Sequence, residues 1–163
     1  MRPGPVKLRP MRITVTPADP DDPGARFCLS HYFALLQARI PGLSPEMFPL
    51  PDPDAPKYRP PHGLFLLAHA GADPVGCVSL RRLTTTTAEV KRLWIAPAAR
   101  GQGLARRLMH QIEDQARALG YAALQLDTNE HLPAAVALYA ATGWRPIAAY
   151  TPFPATHWFG KDL

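Results

Sequence analysis

The sequence predicts a mixed α/β domain in which a mostly antiparallel sheet is flanked by helices. Three observations predict it. Apolar and β-branched runs of strand length follow one another at 63–70, 75–83 and 84–97, too closely spaced for crossover helices between them. Two later stretches, 104–120 and 132–143, carry apolar residues at helical spacing and each ends in glycine. A chain of 163 residues that is 47% hydrophobic is of the size of one domain and holds enough apolar residue for a core.

The elements follow in order. "MRPGPVKLRP" is basic and lacks the apolar stretch of a secretory signal, so residues 1–10 are expected to be a disordered leader. A single domain is expected over 11–163, and Met11 offers an alternative start. "RITVT" alternates as a first strand at 12–16. A helix follows over 23–39, with Phe27, His31, Ala34, Leu35 and Ala38 as its apolar stripe. The segment 41–61 holds a large part of the chain's 20 prolines and reads as an extended loop, because proline blocks both helix interior and sheet ladder. Strands at 63–70 and 75–83 form a hairpin around "GADP", and 84–97 is the third strand of that run. The next helix buries Leu104, Leu108, Ile112, Ala116 and Leu119, leaving Arg106, Arg107, Gln111, Glu113, Asp114 and Arg117 on its other faces. A strand at 121–128, a helix at 132–143 and strand candidates at 144–150 and 156–163 complete the chain.

One strand breaks its own period. Ala88 and Val90 are apolar at even positions, Leu93 and Ile95 at odd ones, whereas alternate residues of a strand face opposite sides of its sheet. An extra residue near Lys91–Arg92, a β-bulge, would return them to one face. Coverage of both faces would explain the pattern as well.

Composition narrows the function classes. No apolar run approaches the ~20 residues of a membrane span, so a soluble, cytoplasmic protein is expected. Cys28 and Cys77 belong to no CxxC or Cys/His pattern and read as free buried thiols; the six histidines show no metal-ligand spacing, and no metal is expected. The net charge of +5 suits an anionic ligand, but the basic residues are scattered rather than gathered in a stripe, so no nucleic-acid partner is expected.

"ARGQGLARRL" lies where strand periodicity gives way to helix periodicity. A helix N-terminus presents free N–H groups and a partial positive charge, so it favours an anion. Gly101 and Gly103 would let the backbone approach such a group, with Arg100 and Arg106 beside it. Taken locally, the stretch is either a phosphate cradle or a flexible corner.

Its surroundings carry a resemblance. Arg100-Gly101-Gln102-Gly103-Leu104-Ala105 matches the R/Q-x-x-G-x-G/A motif of the GCN5-related N-acetyltransferases (GNAT family). "AEVKRLWIAP" resembles their bulged fourth strand, "LYAATGW" their "LY-x-x-x-G-F" signature, and "YTPFPATHWFGKDL" the closing strands of many members. These elements cover roughly 75–160. The resemblance implies a GNAT-type fold and acetyl-CoA as co-substrate, with an acetyl group passed to a primary amine by direct attack in a ternary complex. It implies that the backbone of Gln102, Gly103, Leu104, Ala105 and Arg106 holds the pyrophosphate, and that Leu93, Trp94 and Ile95 pair with the pantetheine arm. The N–H of Leu93 would then stabilise the developing oxyanion. An ammonium ion cannot attack, so a proton acceptor is needed; Glu89 matches the general base of several members, and a water relay is the alternative. Tyr139 matches the acid that protonates the departing thiolate. Leu132 stands where many relatives have Asn, leaving the nearby Asn129 as the replacement contact to the pantetheine arm, and Trp144 replaces the usual Phe.

Rival readings are a binding module of the same fold that holds CoA or nucleic acid without catalysis, and a dinucleotide site. The latter is disfavoured because Arg106 occupies the third glycine position of G-x-G-x-x-G and no second mononucleotide half follows. The acceptor is expected to be a small-molecule or peptide amine. Tyr32, Phe33, Tyr150, Phe153 and Trp158 are candidates for a partly aromatic pocket that suits a small or amino-acid-like amine, and the protein is expected to be a monomer or homodimer.

Overall fold

The long apolar runs of the central strands are accounted for by burial on both faces. In the computed structural model, which describes residues 11–163, Phe65 and Leu67 pack with one helix and Leu66 and Ala68 pack on the opposite face. The elements are β1 (Ile13–Pro17), α1 (Pro23–Arg39), β2 (Leu64–Ala70), β3 (Asp73–Arg82), β4 (Thr87–Ile95), α2 (Leu104–Ala118), β5 (Ala123–Thr128), α3 (Pro133–Ala141), β6 (Arg145–Pro146) and β7 (His157–Asp162). Seven strands form one sheet in the order β1-β2-β3-β4-β5-β7-β6. The pairings are antiparallel apart from β4 with β5. The sheet is therefore mixed and mostly antiparallel, as expected. Of the 144–150 strand candidate only Arg145–Pro146 pairs. The expected leader, residues 1–10, lies outside the described residues.

The phase break in β4 is a bulge. Ser79 of β3 lies opposite Lys91 and Cys77 opposite Trp94, so three steps along β4 match two along β3. The extra residue is Arg92, at φ 60°, the sole non-glycine residue with positive φ among those described. Before it, Ala88 and Val90 face the α2 side; after it, Leu93 and Ile95 pack against that same cluster, while Trp94 faces α1.

Two helix faces need correction. On α1 the buried residues are Ala25, Cys28, Leu29, Phe33 and Leu36, whereas Phe27, His31, Ala34 and Ala38 are exposed. This helix is apolar on several sides, and packing on the sheet selects which stripe is covered. On α2 the expected stripe is buried except Leu119, and Glu113 lies inside rather than outside. Its carboxylate accepts a hydrogen bond from Lys161 Nζ at 2.9 Å, and that ammonium also reaches the Thr142 carbonyl at 2.8 Å. A carboxylate can stay charged in the core only with such a partner.

Cys28 and Cys77 are free and buried, and no described helix is long and apolar enough to cross a membrane.

Candidate active site

β4 and β5 pair only over Thr87–Glu89 and Ala123–Gln125. Beyond this the two strands part, and the site occupies the fork. Ala96 N–H donates to the Val75 carbonyl on the β3 side. Strand alternation therefore turns the N–H groups of Leu93 and Ile95 toward the open edge. The bulge at Arg92 sits where the fork opens.

Three cavities follow one another along the fork. The first, about 210 Å³, lies at the start of α2 against Arg100, Gly101, Gly103, Leu104, Ala105 and Arg106. Gly101 and Gly103 have φ of 77° and 75°, and a Cβ built on either would meet nothing within 4 Å. These glycines serve the left-handed backbone and leave open space beside it. Gly103 caps α2, whose first turn has no acidic residue and no side-chain cap. Arg106 and Arg107 instead stand in that turn, where cations oppose the helix dipole. The Gln102 side-chain Oε1 accepts from the Met11 N–H at 3.2 Å, and Gln102 does not line the cavity. Arg100 folds back onto the Ile95 carbonyl at 3.2 Å.

The second cavity, about 400 Å³, is mainly apolar, running between Leu93, Trp94 and Ile95 on one side and Leu132, Ala135 and Leu138 on the other. It shares Ile95, Arg100, Ala105 and Leu138 with the first cavity, and Tyr32, Leu93, Leu132 and Ala135 with the third. The Trp94 ring itself turns away to α1 and stacks on His31 at 5.4 Å, so what Trp94 offers this cavity is chiefly backbone.

The third cavity, about 370 Å³, lies between β4, β5, α1 and two loops. Tyr139 borders it; its ring packs edge-on against Trp144 at 6.0 Å, and burial pushes its hydroxyl well above the usual tyrosine pKa range. Asp127, at the end of β5, also faces this space. The Trp158 indole N–H donates to Thr151 Oγ1 at 2.8 Å, and that hydroxyl donates to Asp127 Oδ2 at 2.7 Å. This chain of donors fixes the carboxylate's orientation and leaves Oδ1 toward Lys91 Nζ, 3.8 Å away. The acetyltransferase resemblance did not mark Asp127; the signal was a lone acid where an apolar strand ends beside the loop opposite α1.

Glu89 is placed differently from the expectation. Its side chain is fully buried and lines none of the three cavities. Oε1 accepts from Arg81 Nε at 2.7 Å and Oε2 from the Tyr150 hydroxyl at 2.6 Å. Asn129 is also committed: it donates to the Pro154 carbonyl at 2.6 Å and accepts from His131 N–H at 2.8 Å. It braces a loop at the wall of the third cavity. Of the five aromatic acceptor candidates, Tyr32, Phe33 and Phe153 line the cavity. Tyr150 serves Glu89, and Trp158 serves Thr151.

The profile of the acetyltransferase (GNAT) family matches residues 32–144. The chain belongs to the GNAT acetyltransferase family, and it is an N-acetyltransferase. Among its relatives, an IAA acetyltransferase of Azospirillum brasilense is 38% identical over 103 residues, covering 61% of this chain and 67% of the relative. The N-alpha-acetyltransferase RimI of Mycobacterium tuberculosis is 33% identical over 90 residues, covering 53% and 55% of the two chains. Solved GNAT structures share the fold. An acetyltransferase of the GNAT family from Staphylococcus aureus superposes with a TM-score of 0.79 at 15% identity, over 93% of this chain and 99% of that one. The PaiA N-acetyltransferase of Thermoplasma acidophilum, solved in complex with coenzyme A, gives 0.74 at 15% identity, over 94% and 100%.

Proposed function

We propose that this GNAT acetyltransferase binds acetyl-CoA along the fork and transfers its acetyl group directly to a primary amine held in the third cavity. The observation that carries the reading is the continuity of the three cavities, from a helix start without a side-chain cap, past an unpaired strand edge, to a carboxylate and a tyrosine. The residues fit such a ligand: open space beside Gly101 and Gly103 suits a pyrophosphate, and the apolar middle cavity suits a pantetheine arm. Bound acetyl-CoA supplies an activated acetyl thioester.

The chain's own residues do the rest. The N–H groups opening α2, with Arg106 nearby, hold the diphosphate charge. The N–H of Leu93, turned to the open edge, stabilises negative charge on the acetyl oxygen. Asp127, held in place through Thr151 and Trp158, takes a proton from the amine. We assign this role to Asp127 rather than Glu89 because Glu89 is enclosed by Arg81 and Tyr150. Tyr139 keeps its proton through the neutral range, since burial raises its pKa, and can give it to the departing thiolate. The two free buried thiols suit a reducing compartment, so the enzyme is assigned to the cytoplasm.

Calorimetry tests the first half: acetyl-CoA is expected to bind and NAD to be inert, and the reverse result overturns the reading. Thiol release with an amine panel tests the second. Tyr139→Phe is expected to lower kcat by about 10²-fold with little change in the acetyl-CoA KM. Asp127→Asn is expected to lower kcat/KM for the acceptor by about 10²-fold, and Glu89→Gln by less than about tenfold. The opposite ranking would return the base role to Glu89.

A further inference from the structure

The third cavity has two unlike halves. One is apolar: Phe33 and Phe48 stack at 5.0 Å, and Met47 and Phe153, 54% and 62% exposed, stand at its rim on separate loops. The other is charged, with Lys91, Arg92 and Asp127 on its wall. Arg92 is already satisfied, because its Nε and Nη2 lie 2.9 and 2.7 Å from Asp52 Oδ2. Lys91 is not. Its ammonium stands 3.8 Å from Asp127 Oδ1 and 3.9 Å from Glu89 Oε1, and it hydrogen-bonds to no described residue. Glu89 is itself neutralised by Arg81. The cavity therefore offers one cation with free donors beside one carboxylate with a free oxygen, next to an apolar wall.

On the acetyltransferase reading above, we propose that the acceptor is a free α-amino acid with an apolar side chain, its carboxylate held by Lys91 and its amine presented to Asp127. An α-amino acid carries both charges on one carbon, which matches opposite charges 3.8 Å apart. A polyamine would bring only positive charge against Lys91 and Arg92. A peptide N-terminus has an amide where the carboxylate should be. In the reaction the ammonium form gives up its first proton to solvent and the second to Asp127, while its lone pair forms the N–C bond and the C–S bond breaks. The thiolate takes the Tyr139 proton, which solvent restores. The products are the N-acetyl amino acid, CoA thiol and one net proton.

The test compares L-phenylalanine, L-methionine and L-leucine with their amides, with a phenylalanyl dipeptide and with spermidine, at saturating acetyl-CoA. At least one free acid is expected to exceed its amide in kcat/KM by about tenfold or more. An amide's ammonium loses its proton more easily than the acid's, so deprotonation alone would give the opposite order. Lys91→Met is expected to bring that ratio near unity, through the acceptor KM, while calorimetry shows CoA binding unchanged. Titration of L-phenylalanine into the CoA-saturated protein is expected to weaken by about tenfold in the same variant. Amides as good as acids, a better peptide or spermidine, or a ratio unmoved by Lys91→Met would overturn the assignment. Amino acids inert on a protein that binds acetyl-CoA would sink only the acceptor class. Failure to bind acetyl-CoA would sink the function and the acceptor class together.

Discussion

Arg92 combines an unfavourable backbone with an unusually well-held side chain. At φ 60° a residue with a Cβ is strained by roughly 1–2 kcal/mol. Its guanidinium lies 5.3 Å from the Phe33 ring and 5.0 Å from the Tyr58 ring and is ion-paired to the buried Asp52. It thereby ties the bulge to α1 and to the proline-rich loop at once. Arg92→Ala is expected to lower unfolding stability by about 3 kcal/mol, because it strands the Asp52 charge and keeps the backbone strain. Arg92→Gly should be less damaging by about 1 kcal/mol, since glycine removes the strain but not the loss of the clamp. Urea unfolding of both variants reads the two contributions separately; equal losses would show that the backbone there costs nothing. The bulge was legible in the sequence because period two failed between Val90 and Leu93. The clamp was not, because Asp52 lies 40 residues away inside a loop that local patterning describes only as extended.

The contrast between α1 and α2 shows what periodicity can decide at the scale of an element. In α2 polar and apolar residues separate cleanly, so its buried side was readable to within Leu119 and Glu113. In α1 two stripes of the same period compete, and the exposed one, with Phe27 and His31, reaches only the margin of Trp94. The tail strand failed for a related reason: "RPIAAY" has strand-like composition, yet its ladder with β7 stops after Arg145 and Pro146, with one further bond from the Ile147 N–H to the Trp158 carbonyl. The glycine loop was legible as a loop-to-helix junction, and the structure adds why each glycine is required there. Gly103→Ala introduces no clash, so its cost is the left-handed backbone alone. It should be about 1 kcal/mol, a fall in Tm of about 3 °C by calorimetry. A fall three times larger would mean that the side chain collides with something after all. The carboxylate proposed as the base was the least legible feature. Glu89 and Asp127 are both single acids on apolar strands, and only the third dimension separates the enclosed one from the one facing a cavity.

For the molecule as a whole, long-range pairs join segments that no strand ladder connects. Arg59 donates to Asp19 at 2.8 and 3.0 Å and to Asp21 at 2.9 Å, fastening the end of the proline-rich loop to the turn before α1. Those hydrogen bonds from Arg59 lower the Asp19 pKa to about 2 from its ordinary 3.8. A depressed carboxylate contributes stability that is present above its unfolded pKa and is lost as pH falls through the folded value. The pair is surface-exposed, so the contribution is small. Arg59→Met should lower the urea midpoint slightly at pH 6, and the two proteins should converge as pH falls from about 4 to about 2. A difference that persists at pH 2 would assign the effect to packing instead.

The parting of β4 from β5 has a consequence for how the free protein exchanges its amide hydrogens with solvent. The middle strand of a seven-stranded sheet would ordinarily hold its slowest amides, with exchange quickening toward the edges. Here the N–H groups of Leu93 and Ile95 have no partner strand, while Trp94 and Ala96, on the β3 side, do. The centre should therefore show alternating fast and slow amides along four consecutive residues, a pattern expected of a sheet margin. Added CoA should slow the fast pair selectively, making deuterium uptake at Leu93 and Ile95 a direct gauge of occupancy that needs no knowledge of the acceptor.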